Sequence, residues 1–539
     1  MLVFMLWQAW QQDYGPKPEV AAIVNPEVAT AKEDLPIAAG TASQPETAAQ
    51  NPVSLSAATA SSAKTVKVKT DVIALEIDMQ GGTITNLDLL NYPVEKANTF
   101  VNSLRKMVGM DVAETNTAPV RLFNSDEEKL FVAQSGLIAG SGLAAAPNHY
   151  TVFSNEQDSY TLQPGQDSLT VPLTWTDNNG LVVTKLFTFK RGSYDITLDQ
   201  KVSNKSGKAW SGRQYSQLLR VPDTTGKGNM LTGGMRAYDG GVIYTEKNKY
   251  QKISFDDMAE ENLDVTSKGG WTAMIQHYFA SAWVPPAEQE NHFYTKELKD
   301  GRYVIGTYSP PVTVEANTEA QFVSQLFAGP KIQPMMEAIA PGLELTVDYS
   351  VLTFIGKPIY WLLDKIHSVI GNWGVAIIGV TLCIKLLFFP LSQASFKSMA
   401  KMRKIQPRLK ELQERFADDR PRFNTEMMAQ IPVFMALYWV LSETVEFRQA
   451  PFMLWIQDLS IQDPFFILPL IMGITMKIQQ SLNPAPIDPI QAKVMKMFPI
   501  VFTVFFLFFP AGLVLYWVIN NTLSIIQQTY ITKQIEKAG

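Results

Sequence analysis

No charged residue interrupts the chain between Met497 and Thr532, a stretch crowded with Phe, Val, Leu and Ile. A helix needs about 20 apolar residues to cross the ~30 Å hydrocarbon core of a bilayer. This stretch is too long for one crossing and just long enough for two, if Phe509-Pro510-Ala511-Gly512 makes a tight turn. The fold must therefore use lipid as part of its solvent. Whole-chain composition conceals this, because 539 residues at 46% hydrophobic and 18% charged could pass for two or three soluble domains. Residues 1–348 are mostly polar with ordinary strand patterns, and the long apolar runs gather in 349–539.

A second run, WGVAIIGVTLCIKLLFFPL from Trp373 to Leu391, carries a single charge, Lys385. A lysine near the bilayer centre costs about 2.5–3.5 kcal/mol on insertion scales, so its default reading is functional. The plainer reading is a stem in lipid whose head snorkels inward, although Ser392 lies about 10 Å further along a helix. Thr381 is one helical turn from Lys385 and shares its face. The net charge of −5 argues against bulk nucleic-acid binding. Cys383 is the single cysteine, so no intramolecular disulfide forms, and His149, His277, His292 and His367 lack metal-ligand spacing. Neither a metal nor a cofactor is expected.

Along the chain, residues 1–13 (MLVFMLWQAWQQD) read as the outer remnant of a membrane helix with interfacial Trp7 and Trp10, a cleaved signal sequence being the rival. Residues 14–64, rich in Ala, Pro, Thr, Ser and Glu, read as a flexible tether. From 65 to 348, alternating segments with turns at Gln80-Gly81-Gly82, Asp177-Asn178-Asn179-Gly180 and Arg191-Gly192 predict a large β-sandwich. A short helix is expected near 331–343. Residues 349–371 predict an amphipathic interfacial helix with Ile355, Ile359, Leu362, Ile366 and Val369 on one face.

Residues 372–391 form the Lys385 span, and 392–429 a basic helical hairpin, cytoplasmic by the positive-inside rule. Residues 430–442 carry the next apolar run, Ile431 to Leu441, whose eleven residues rise only about 16 Å and fall short of a crossing. A loop at 443–464 that is acidic on balance, a span at 465–482, an inner loop at 483–496, two spans within 497–530 and an inner tail at 531–539 complete the reading. A transporter or channel would also place a charge in a span, but should show paired intramembrane charges or internal repeats, and none are visible. An enzyme tethered through its sandwich is the other alternative. No convincing pair of His and carboxylate stands out in 65–348.

The segments VKTDVIALEI, TSKGGW, YFASAWVP, VIGNWG, SMAKMRKIQP, VEFRQAPFMLWIQDLS and PIVFTVFFLFFPAGLVLYW are long and contiguous. In them the chain resembles the YidC membrane-protein insertases of Gram-negative bacteria, from the first residues to the last. The resemblance implies a galactose-mutarotase-like β-supersandwich in the periplasm and an α-helical core of five spans, with an additional N-terminal span, in the inner membrane. It implies an insertase and chaperone, not an enzyme, that handles nascent membrane proteins alone or with the Sec translocon, with the ribosome and the lipid bilayer as further partners. The family's hydrophilic groove normally carries Arg where this chain has Lys385, a compact charge in place of a planar fork. Thr381, on the same helical face, would line that groove with Lys385, and by family position Gln430, Tyr516 and Trp517 join them. Met435, Phe502, Phe505, Phe506 and Phe508 form an apolar slide for a substrate helix. Lys401, Arg403, Lys404, Arg408 and Lys410 of the hairpin dock anionic partners in the cytoplasm. The family's longer hairpin, with a Pro-Gly-Gly turn into the next span, has no counterpart where Ala429 abuts Gln430.

Overall fold

The computed structural model describes residues 34–36, 64–108, 110–111, 115–140, 143–222, 238–349, 352–390, 392–393, 396, 435–483 and 489–537. Two compact units result, one from residues 1–92, 119–329 and 337–343, the other from 93–118, 330–336 and 344–539.

The first unit is a β-sandwich of an 11-stranded and an 8-stranded sheet. Alternation builds it: in Leu181–Lys190 every second side chain is buried, as a strand with one face on a core requires. That strand pairs antiparallel with Ser168–Thr176 and with Asp195–Asn204. The first of these hairpins closes where the Asp177 carboxylate accepts the backbone N–H groups of Asn179 (2.9 Å) and Leu181 (2.7 Å), with Gly180 at φ 93°. In the larger sheet, Trp210–Arg220 runs centrally between Phe131–Ala139 and Tyr303–Tyr308. The sheets meet through a mixed core in which Leu137 and Trp210 of one pack with Val183, Val202 and Phe322 of the other. Polar bonds cross the same layer: the Trp283 indole donates to the Gln217 carbonyl at 3.0 Å, and Gln214 Nε2 donates to Ser324 Oγ at 2.9 Å.

Inside this core sits a cation. Lys185 is fully buried, and its Nζ donates to Gly81 O (2.6 Å), Ser135 O (2.8 Å) and Ser135 Oγ (2.9 Å), with the Phe153 ring 5.1 Å away. Three acceptors match the three N–H groups of the ammonium, whereas burial lowers its pKa to about 7. Histidines also find carboxylates here that sequence distance hid: His292 meets Asp264 across paired strands, and His149 meets Asp34. The expectation of no such pair in 65–348 is corrected by the first of these. Strand pairing brings together residues 28 positions apart.

The second unit is helical: α1 (Thr99–Met107), α2 (Thr353–Ile370), α3 (Trp373–Leu387), α4 (435–443), α5 (Ile467–Leu482), α6 (Pro489–Phe506) and α7 (Ala511–Lys537). Residues 93–118 join it, away from the expected 65–348 block, because Lys96 Nζ donates to Gln449 O (3.1 Å), Asn98 Nδ2 to Trp455 O (3.0 Å) and Arg448 to Pro93 O (2.8 Å). In α2 the face packed on protein is Gly356, Ile359, Tyr360 and Leu363, while Val369 is 85% exposed. Tyr360 donates to the Glu446 carboxylate at 2.7 Å, and Gly356 faces the Tyr349 ring. Burial raises the Glu446 carboxyl pKa.

Helices α3 and α5 have 15 and 16 residues, about 22 and 24 Å of rise. Helix α7 has 27, but its apolar character is diluted by Asn520, Asn521, Ser524, Gln527 and Gln528. Among the described residues no helix is both long and apolar enough to cross a membrane. Gly473 allows the close approach of α5 and α6, since a Cβ there would run into Thr503 Oγ1. The entry to α5 is held by Asp463, 1% exposed, which accepts Leu468 N (2.7 Å), Phe465 N (3.0 Å) and the Trp455 indole (3.0 Å).

Two predictions follow from these buried groups. The folded-state pKa of Lys185 lies below its unfolded value, so between pH 7 and about 10 the unfolded chain binds more protons and stability rises with pH, by up to about 1.4 kcal/mol per unit. Chemical denaturation followed by a sandwich tryptophan should show this slope, and Lys185→Met should flatten it. Asp463→Ala leaves three donors unmatched and should destabilise the helical unit by about 2 kcal/mol or more, read as a lower melting temperature in detergent.

Candidate functional site

The helix α3 starts at Asn372, whose side chain accepts Val375 N at 3.0 Å while its own amide donates to Phe452 O at 2.9 Å. From that fixed start, Ala376, Ile377, Val380 and Thr381 are buried, and Lys385 follows one turn after Thr381, half-buried. Helix α7 packs against α3. Its start is equally fixed, since Ala511 N donates to Ile461 O (2.7 Å) and Gly512 N to Leu459 O (2.9 Å).

The two helices meet at a polar bond. Lys385 Nζ donates to Ser524 Oγ at 2.7 Å, and the Ser524 hydroxyl donates onward to Asn520 O at 2.8 Å. Among the described residues the ammonium's hydrogen-bond partner is thus neutral. Ser524 stands on a seam with Asn521 and Gln528, each 3% exposed, at helical spacing along one face of α7. Gln528 Nε2 reaches Asn483 Oδ1 (3.0 Å) and Leu482 O (3.2 Å) at the end of α5. Among the described residues, other amide atoms on α7, Asn521 Nδ2, Gln527 Nε2 and Gln528 Oε1, are buried without a hydrogen-bond partner. Each such atom costs about 1–3 kcal/mol unless something polar meets it.

Reading the sequence missed Asn521, Ser524 and Gln528. The signal was present in NNTLSIIQQ, where polar residues recur at three and four inside an uncharged helix. Of the residues expected in the groove, Thr381 is 1% exposed and its hydroxyl donates to Ile377 O at 2.6 Å along its own helix. Tyr516 is 6% exposed, and Trp517 is half-buried with its ring edge-on to Phe506, centroids 5.7 Å apart. Gln430 lies outside the described residues, as do Lys401, Arg403, Lys404, Arg408 and Lys410.

The expected slide divides. Phe505 and Phe508 are 46% and 41% exposed, and Met435 and Phe502 are half-buried. Phe506, at 2%, is an internal packing residue. It is pinned between Trp517, Phe502 and Phe509.

The family model of the YidC periplasmic domain matches residues 110–362, and that of the 60Kd inner membrane protein matches 365–430 and 427–538, two pieces that meet at 427–430. The membrane protein insertase YidC of Methylococcus capsulatus is 52% identical over 550 residues, covering 99% of this chain and 96% of the relative. That of Nitrosococcus oceani is 46% identical over 562 residues, covering 100% of this chain and 98% of the relative. A solved active YidC insertase with its first transmembrane domain resolved aligns over 86% of this chain and 92% of its own, at 14% identity and TM-score 0.34. With relatives this similar along their whole length, the chain belongs to the YidC family of membrane protein insertases.

Proposed function

We propose that this chain inserts nascent proteins into the bacterial inner membrane by offering their polar segments the seam between α3 and α7. Lys385 held by the neutral Ser524 at 2.7 Å carries this reading. An ammonium paired with a carboxylate would be satisfied and inert toward substrate, whereas a serine hydroxyl orients it and leaves its charge uncompensated. The amide atoms spare on α7 supply further hydrogen bonds to a polar tail passing through an otherwise apolar layer.

Attraction at this cation is transient. An inside-negative potential of 100 mV favours outward movement of each anionic charge by about 2.3 kcal/mol across the full field. Apolar substrate residues then partition to lipid past the exposed rings of Phe505 and Phe508. No covalent chemistry is required, and the sandwich serves as a periplasmic docking body. In this reading α3, α4, α5, α6 and α7 are the membrane core, and the basic hairpin, with Lys401, Arg403, Lys404, Arg408 and Lys410, faces the ribosome in the cytoplasm. The Sec translocon is the second partner for substrates with large outer domains. A transporter would use the span charge as half of a charge pair, and the neutral partner of Lys385 supports insertion instead.

Substituting Lys385 with Arg, Ala and Glu and measuring insertion of a single-span substrate with an acidic outer tail tests the reading. Insertion should be retained by Lys385→Arg, fall several-fold in Lys385→Ala, and fall more than tenfold in Lys385→Glu at unchanged expression and melting temperature. Normal insertion by Lys385→Glu removes the role of the cation.

A further inference from the structure

We infer that the sandwich carries a docking pocket for a short acidic peptide, built from His149, Tyr150 and Tyr215, and that the chain's own Asp34-Leu35-Pro36 fills it and pins the N-terminal tether to the domain. A carboxylate in a stretch rich in Ala, Pro and Thr belongs in water, because burying it without partners costs several kcal/mol. Asp34 is nevertheless only 5% exposed. Its Oδ2 lies 3.0 Å from His149 Nε2, and its Oδ1 accepts the Tyr150 hydroxyl.

The receiving side is built within the sandwich itself. The Tyr215 hydroxyl accepts the His149 backbone N–H at 3.0 Å, so its own hydrogen is free to be donated to His149 Nδ1, 2.6 Å away. That assignment leaves the ring proton on Nε2, aimed at Asp34. Tyr215 is fully buried on a central strand and His149 is 4% exposed, so the donor is fixed by the fold and not by the tether. Leu35 packs on the apolar cluster around Tyr215, Tyr294 and Val304, and Pro36 is buried. One charge, one apolar side chain and one stiff proline make a linear recognition element. No residue of the Lys385 seam takes part.

Docking changes what the tether can do. A free chain of about 50 residues has a root-mean-square span of about 40 Å, but with Pro36 fixed only the roughly 27 residues before Lys64 form the loop back to the first strand.

Lys32 gives a direct reading, because it is the one tryptic bond expected between residues 14 and 63, Lys17 being followed by Pro18. Trypsin needs the residues on both sides of the cut in extended form, and Asp34 and Leu35 are two and three positions beyond Lys32. In full-length chain held in nanodiscs, cleavage after Lys32 should be at least tenfold slower than in a synthetic peptide spanning residues 28–40. Tyr150→Phe and, separately, His149→Gln should restore rapid cleavage while leaving the cut sequence untouched. An unchanged melting temperature in Tyr150→Phe separates release of the segment from unfolding of the domain. A native rate within threefold of the peptide, or a rate that does not move in the folded Tyr150→Phe chain, overturns the proposal.

Discussion

An ammonium within a helical bundle demands polar company, and the contact of Lys385 with Ser524 is where this chain meets that demand. The contact joins α3 to α7, so both helices must be held in register for it to exist. Their entries are fixed by neighbouring backbone: Asn372 caps α3 and bonds Phe452, while Ile461 and Leu459 receive the first N–H groups of α7. Around this axis α5 approaches α6 at Gly473 and reaches α7 through Gln528. The loop at 443–464 therefore acts as a frame from which the polar seam hangs. Its own anchors, Asp463 and the Tyr360–Glu446 bond, serve placement and not chemistry.

The sandwich solves the same problem differently. Lys185 is surrounded by backbone and hydroxyl oxygens in place of a carboxylate, and Gln217 links Tyr294 (2.6 Å) to Gln134 (2.7 Å) across the larger sheet. Buried polar groups that are met in this way specify one register, because any slip strands them. Among the described residues, amide atoms without a partner occur in both units, at Gln200 in the sandwich and at Asn521, Gln527 and Gln528 in α7.

Much of this was legible in the residues. Period-two alternation with Gly and Asn turns predicted the strands around Leu181–Lys190, and the lone charge in an apolar run singled out Lys385. Lys185 sat on the inward register of Leu181, Val183, Phe187 and Phe189 and could have been read as buried by the same alternation. Other features depend on contacts far apart in sequence. Asp34 gains meaning only when folding brings His149, 115 positions away, to it. Residues 93–118 leave the strand block because of partners near 450, and Tyr360 of α2 meets Glu446, 86 positions away. Phe506 looks like its exposed neighbours until Trp517 covers it, since an aromatic run gives no sign of which ring faces inward.

Ser524 and Gln528 are each 3% exposed, so the account requires the seam of α7 to open to water from within the membrane. In a Cys383→Ser background, single cysteines introduced by Ser524→Cys and Gln528→Cys can be probed with a membrane-impermeant thiol reagent, with Val514→Cys, in the apolar packing of the same helix, as reference. Rapid labelling at 524 and 528 against slow labelling at 514 is the predicted result. Equal resistance at all three positions would mean that Lys385 lies in a sealed contact, and the account would fail.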